Sequence, residues 1–313
     1  MKTNLHKIGR FEDRISFLYV DRAVINQADR SLTIHEFDGV SEVPIAALAL
    51  LMLGPGVSIS HEAVKALAEN NCVIVWSGEL GVRCYAAGQG GSRHSRNLLL
   101  QARNALDQRS RMQVVVRMYE HRFGEGTLDL GLTLRQIRGK EGARVRDAYA
   151  NAARECGIKW GGREYDRKAW DGSDPVNRAL SAANACLYGL VHAAIISGGY
   201  SPAIGFIHTG KQLSFVYDIA DLYKAELTIP IAFKTVRGSP VDLEPQVRAE
   251  CRRRFHGSRL MKRILPDIRG LLAAGAESDE DEYAEDPSKP AELWDPEGFT
   301  ADTPIGQILA AGR

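Results

Sequence analysis

His208, Asp218 and Asp221 lie in the run GFIHTGKQLSFVYDIADLYK, residues 205–224, which offers an imidazole and two carboxylates to one small region. Donors of that kind suit a hard divalent cation. Mg2+ takes few protein carboxylates and keeps several waters, and Mn2+ accepts an imidazole as well. Positions left to water are open to phosphate oxygens, so the chemistry in view is attack on a phosphodiester. Gly205 and Thr209–Gly210 read as a turn around His208, Ser214 as a helix N-cap, and Pro230 as the end of that helix. At about 100° per residue, Ser214, Asp218, Asp221, Lys224 and Ala225 share one side; Phe215, Val216, Ile219, Leu222 and Tyr223 share the other, where Glu226 is the exception. One face is expected to pack on a core and the other to meet water. Taken alone, such a wet face is more often a solvated surface than a metal site.

A phosphodiester site of this type needs a further carboxylate from a neighbouring helix. Glu141 is the best candidate, in the heptapeptide RGKEGAR at 138–144. Gly139 and Gly142 flank it inside a helical stretch, and each costs roughly 1 kcal/mol relative to alanine. Either a ligand backbone approaches there or two helices pack closely; the residues leave both open.

The elements that must position these groups follow from patterning. Of 313 residues, 44% are hydrophobic and 25% charged, ordinary for a soluble globular chain with room for two domains. No signal-peptide core opens the chain. No apolar run reaches the roughly 20 residues that span a bilayer, because Leu180–Ser197 is interrupted by Ser181, Asn184 and His192. Cys72, Cys84, Cys156, Cys186 and Cys251 form no C-x-x-C pair, which speaks against structural zinc and a disulfide framework. The expected location is therefore the cytoplasm, with no membrane partner. Residues 276–313 carry 11 acidic and two basic side chains, so the rest of the chain holds 38 basic against 28 acidic. A basic body with an acidic tail is a common plan for a nucleic-acid-binding protein, although a solvated surface would look similar.

Residues 13–86 read mostly as strands, with alternation in Arg14–Val20 and β-branched or aromatic runs at Ser31–Phe37 and Cys72–Trp76. One helix sits among them, capped by Ser60 and lined by Ala63, Val64, Leu67 and Ala68, and Ile45–Leu53 reads as a buried strand or short helix. Gly88–Ser92 is a linker; it lacks the Gly-Lys-Ser/Thr ending of a phosphate loop. Asn97–Arg122 reads as one helix and Leu132–Glu155 as a second, broken at Gly139 and Gly142. Asp174 caps a third, small-residue helix with Pro175 in its first turn and Gly198–Gly199 at its end. Glu244–Phe255 and Ser258–Ala274 follow. The predicted fold class is α+β: an N-terminal β-rich domain with one helix over 1–87, a linker over 88–96, a larger all-α catalytic domain over 97–276, and an acidic, Pro-containing tail over 277–313 that is expected to be disordered.

RGKEGAR at 138–144, ACLYG at 185–189, AIGFIH at 203–208 and SFVYDIAD at 214–221, in this order and spacing, resemble the CRISPR-associated adaptation integrases (the Cas-one family), the catalytic subunits that insert new spacers. GELGVRCYAAGQ at 78–89 points to the type I-E branch. The resemblance covers residues 13–275 and implies metal ligands at Glu141, His208 and Asp221 for Mg2+ or Mn2+. It makes Asp218 an accessory carboxylate, Tyr188 a hydrogen-bond donor to the scissile phosphate, and Lys224 and Lys211 cations for phosphate charge. It places DNA contacts at Lys65, Arg83, Arg138, Tyr165, Lys211 and Arg248. A core tyrosine and ordinary surface cations are the plainer alternatives for these residues. Asp221 stands where many relatives outside this branch carry glutamate, Ser58 and Pro245 stand near positions expected to be basic, and the wedge aromatic falls near Tyr19, with Arg22 in its place.

The resemblance further implies a homodimer built through the β domain, and two dimers flanking a dimer of the small ferredoxin-like partner (the Cas-two family) in a heterohexamer on a prespacer duplex. The implied reaction is metal-assisted transesterification, a prespacer 3′-hydroxyl attacking CRISPR repeat DNA; with water as nucleophile the same site is a nuclease. A branched-DNA nuclease of repair and a non-catalytic DNA-binding scaffold are the alternatives. Alanine at Glu141, His208 or Asp221 is expected to leave folding and DNA binding largely intact and to abolish strand transfer.

Overall fold

Leu50–Leu53 and Val73–Val75 are apolar at every position, the mark of strands buried on both faces. In the computed structural model of the chain they lie at the centre of the β-rich part. The structure describes residues 18–48, 50–78, 84–88, 95–124, 126–129, 131–163, 174–238 and 242–272. β1 (Leu18–Val20) and β7 (Val73–Ser77) flank β5 (Leu50–Leu53) in parallel, and β8 (Cys84–Gly88) adds antiparallel to β7. A second sheet is a meander of β2 (Val24–Ala28), β3 (Ser31–Glu36) and β4 (Gly39–Pro44), with β6 (Ser58–Ile59) parallel to β2.

Strand alternation gives the central sheet two cores. Leu51, Leu53 and Ile74 join Ile25, Leu32, Ile34, Ala63 and Leu67 of the second sheet and α1 (His61–Glu69). Leu50, Met52, Val73 and Val75 point the other way, into the core made by the helices. Ser60 caps α1 as expected, its hydroxyl accepting from the Ala63 N–H at 3.3 Å. The run 45–53 divides into a 3-10 turn at Ile45–Ala47 and β5.

The helical part runs α2 (Arg96–Leu106), α3 (Gln108–Phe123), α4 (Leu134–Cys156), α5 (Pro175–Ser197), α6 (Ser214–Ala220), α7 (Thr228–Gly238), α8 (Leu243–Gly257) and α9 (Leu260–Leu272). α5 is its axis, in contact with α6, α7, α8 and α9. The Asp174 carboxylate accepts from Val176 and Asn177 N–H, Pro175 takes the first helical position, and Gly198 ends the helix. Among the described residues α5 alone is long and apolar enough to cross a membrane, but 67% of that window is buried inside the protein. The expected α+β class is the observed one.

Four sequence expectations need correction. The stretch 97–122 is two helices: Asp107 ends α2 and caps α3, its carboxylate accepting from the Ser110 N–H at 2.7 Å. α4 passes unbroken through Gly139 and Gly142, started by a capping box between Thr133 and Gln136. Ser214 is inside α6, not its cap, and Pro230 lies in the first turn of α7, where a missing N–H is harmless, so it opens a helix instead of closing one. Gly88 ends β8 and Arg96 begins α2. The linker residues 89–94, Arg83, Tyr165 and the tail from 277 lie outside the described residues.

Candidate active site

Asp218 is placed by α6 with none of its surface exposed. Its carboxylate accepts the backbone N–H groups of Phe206 at 2.6 Å, Ile207 at 3.1 Å and His208 at 2.9 Å, and meets His208 Nδ1 at 2.7 Å. The carbonyls of the same loop are held from the other side. Arg111 of α3 donates to Gly205 O at 3.1 Å and Phe206 O at 2.8 Å. Gln101 of α2, fully buried, donates to Ser201 O and Ile204 O. A Cβ at Gly205 would run into the His208 carbonyl oxygen and Ser214, so glycine is required there. The face expected to be wet is thus partly covered: Ser214 and Asp218 are buried, because the 205–208 loop folds over them. Asp218 is a buried carboxylate that positions this loop and the His208 ring.

With Nδ1 on Asp218, His208 keeps Nε2 for another partner, the arrangement typical of a metal-binding imidazole oriented by a carboxylate. The Asp218 hydrogen bond raises the His208 pKa above its ordinary 6.5, against the opposing effect of burial, and the charges of Asp218 and Asp221 add to the rise. Because the folded value is the higher one, the pair contributes stability that is complete below about pH 6.5 and fades as pH climbs through the raised value. An NMR titration of the His208 ring in the metal-free protein should find its midpoint above 6.5, and Asp218→Asn should lower it. An unshifted wild-type midpoint would contradict the Nδ1 contact.

Glu141 stands on α4 between two arginines. Arg144 donates from Nε to Oε2 and from Nη2 to Oε1, both at 2.9 Å. On the other side Arg122 of α3, only 3% exposed, brings Nη1 to 3.6 Å from Glu141 Oε1. Its Nη2 donates to the Asp218 carbonyl at 3.3 Å, so one guanidinium ties α3, α4 and α6 together. Among the described residues its buried Nε has no partner.

Asp221, at the C-terminal end of α6, carries Lys224 Nζ at 2.5 Å. Lys224 also lies over the Tyr188 ring of α5, 4.9 Å from its centroid. Burial by itself pulls the lysine pKa down, but Asp221 and Tyr188 outweigh it and the net direction is upward. The Tyr217 ring meets Tyr188 and His208 edge-on, with centroids 5.2 and 5.9 Å away. The Asp221 charge reaches both Arg144 and His208. Through Arg122, Asp218 and Lys224, the side chains of Glu141, His208, Asp221 and Tyr188 therefore share one neighbourhood. Arg122, Arg144 and Tyr217 belong to it and escape sequence reasoning. Arg144 had a usable signal, its i+3 spacing from Glu141; Arg122 had none.

The donor set fits a divalent ion in kind: two carboxylates and a free imidazole nitrogen. Among the described residues no three His, Cys, Asp or Glu side chains stand close enough to hold one ion, and the oxygens of Glu141 and Asp221 are turned onto Arg144 and Lys224. Closing a cage requires those two ion pairs to open.

Arg138 and Lys211 are exposed on the same helix as Glu141 and in the loop after His208. Lys65 stands on α1, 3.8 Å from Glu69. Arg248 stands on α8 beside Glu244, whose pKa burial raises but the Arg178 hydrogen bond and the charges of Arg178 and Arg248 bring below its ordinary value. Tyr19 is half-buried, donating to Asp21 at 3.1 Å beneath the Arg252 guanidinium. A Cβ at Gly139 would meet nothing within 4 Å, and one at Gly142 only Arg146 Nη1 at 3.4 Å. Helix packing therefore does not account for Gly139. Gly139→Ala should raise stability in urea unfolding by about 1 kcal/mol; a loss would reveal a contact at that face.

An α+β protein with a carboxylate–imidazole site in its helical part is the class these features define. The family model described as CRISPR associated protein Cas1 matches residues 17–125 and 122–244, and the chain belongs to that family. It is 49% identical over 296 residues to the CRISPR-associated endonuclease Cas1 2 of Thermus thermophilus, covering 94% of this chain and 91% of that protein. It is 43% identical over 265 residues to the CRISPR-associated endonuclease Cas1 of Escherichia coli K12, covering 84% and 87%. Its fold matches the crystal structure of a TtCas1–DNA complex with a TM-score of 0.76 at 49% identity, over 85% of this chain and 99% of that one.

Proposed function

We propose that this chain cuts and joins DNA in CRISPR adaptation, linking prespacer 3′-hydroxyl ends to repeat DNA by transesterification. It would act in the cytoplasm as a homodimer, assembled with the small ferredoxin-like partner in a heterohexamer. The observation that carries this is the shared neighbourhood of Glu141, His208 and Asp221 on a chain of this family. Relatives named endonucleases, and one solved with DNA, support it, since water at the same site gives cleavage in place of joining.

Glu141, His208 and Asp221 would hold Mg2+ or Mn2+. A divalent ion there supplies stabilisation of charge on the phosphate oxygens and orientation of the attacking oxygen. The chain's own groups do the rest. Asp218 fixes the His208 ring, while Tyr188 and Lys224 offer a hydroxyl and a cation beside Asp221. Exposed Arg138 and Lys211 flank the site for backbone phosphates, contacts that position DNA and weaken with salt.

The deciding experiment is half-site integration of a labelled prespacer into supercoiled repeat DNA, with and without the partner and with Mg2+, Mn2+ or neither. Joined product that needs both metal and partner is the expected result. Metal-dependent nicks without joining would leave a nuclease. DNA binding with no metal-dependent product would leave a scaffold and overturn the proposal.

A further inference from the structure

The two arginines on Glu141 are not equivalent. Arg122 reaches it from another helix, is 3% exposed, and is tied to the Asp218 carbonyl as well. Arg144 sits three residues along the same helix, is 28% exposed, and spends both of its hydrogen bonds on Glu141. Among the described residues it links no two elements, and a carboxylate already backed by a buried arginine does not need a second for charge balance. What Arg144 does is occupy both oxygens that a divalent ion would use. Asp221 repeats the pattern, with Lys224 three residues on. Each carboxylate thus carries its own half-buried cation, which offsets its charge. Accepting a divalent cation means releasing positive charge. A guanidinium fork matches a phosphate as well as it matches a carboxylate.

We propose that Arg144 is a displaceable counter-ion that becomes a phosphate ligand. It covers Glu141 in the metal-free chain, yields both oxygens to a divalent cation, and turns its fork to the phosphate of DNA bound there. The inference rests on the metal-dependent function proposed for this site. It makes two measurements move in opposite directions. Removing a competing cation strengthens metal binding, and removing a phosphate ligand slows the reaction. An arginine that only supports the fold would weaken both.

The test uses the full chain as wild type, Arg144→Met, Arg144→Lys and Glu141→Gln, each checked for an unchanged melting curve. Mn2+ is titrated by calorimetry without DNA, and cleavage of a branched duplex is then followed at saturating Mn2+. Arg144→Met should bind Mn2+ about tenfold more tightly than wild type and cleave at least about tenfold more slowly, the scale of one charge-assisted pair. Its DNA affinity should depend less steeply on salt, by about one unit of log–log slope. Arg144→Lys, which keeps the charge and loses the fork, should cleave at an intermediate rate. Arg144→Met binding Mn2+ no more tightly than wild type, or cleaving as fast, overturns the inference. Glu141→Gln locates the failure. If it binds Mn2+ as wild type does, the ion is not on Glu141, and the metal assignment and this inference fall together. If it loses Mn2+ while Arg144→Met gains nothing, only the inference falls.

Discussion

Asp218→Ala should cost about 3–5 kcal/mol of stability, and with it the activity, although this carboxylate is shielded from solvent. Its oxygens satisfy three consecutive backbone N–H groups and orient the His208 ring. Each buried donor left without a partner costs about 1–3 kcal/mol, and only partial entry of water into the loop keeps the total within that range. Asp218→Asn separates the two duties. The single amide oxygen can still accept from Phe206 and Ile207, so part of the stability should return, but the NH2 then faces the His208 N–H and cannot hold the His208 ring in the same tautomer, and activity should stay low. Urea unfolding beside a DNA-cleavage assay checks both variants. An Asp218→Ala protein within about 1 kcal/mol of wild type would mean that the loop amides find other acceptors.

Alanine at Glu141, His208 and Asp221 should reduce cleavage alike, by roughly a thousandfold or more, yet the three variants should differ in stability. Glu141→Ala leaves Arg122 buried opposite no carboxylate, at a cost of about 2–4 kcal/mol. His208→Ala leaves Asp218 with its three amide donors, and Asp221→Ala leaves Lys224 on the Tyr188 ring, partly exposed, so both should melt near wild type. The expectation that all three fold normally is thereby narrowed to two. Glu141→Gln, which keeps an acceptor for Arg122, should recover stability without recovering activity. Equal unfolding midpoints for all three alanine variants would show that Arg122 does not depend on Glu141.

Features set by local rules were legible in the sequence. The apolar strands at 50–53 and 73–75, the Ser60 cap and the Asp174–Pro175 helix start each depend on neighbours in the chain. So do the ordered motifs that bring Glu141, His208 and Asp221 into view. What stayed hidden depends on partners far along the chain or on a rule with exceptions. A helical wheel treats polar as outward, but a fully hydrogen-bonded carboxylate can sit inside, and the partners of Asp218 lie 10–12 residues upstream in an irregular loop. Arg111 and Arg122 count as surface cations in any composition, yet bonds to carbonyls and to Glu141 draw them in. Asp107 breaks a helix with neither glycine nor proline, and Pro230 is tolerated because it falls in a first turn.

The loop bearing His208 is gripped by side chains on both edges, its amides by Asp218 and its carbonyls by Arg111. Loops ordinarily trade their amide protons with solvent quickly. Here the protons on Phe206, Ile207 and His208 should exchange as slowly as those of α6, because none can escape until the α3–α6 scaffold opens as a unit. In a deuterium-exchange map this irregular segment should therefore look like a core element, and the imidazole would be delivered to its site already in place.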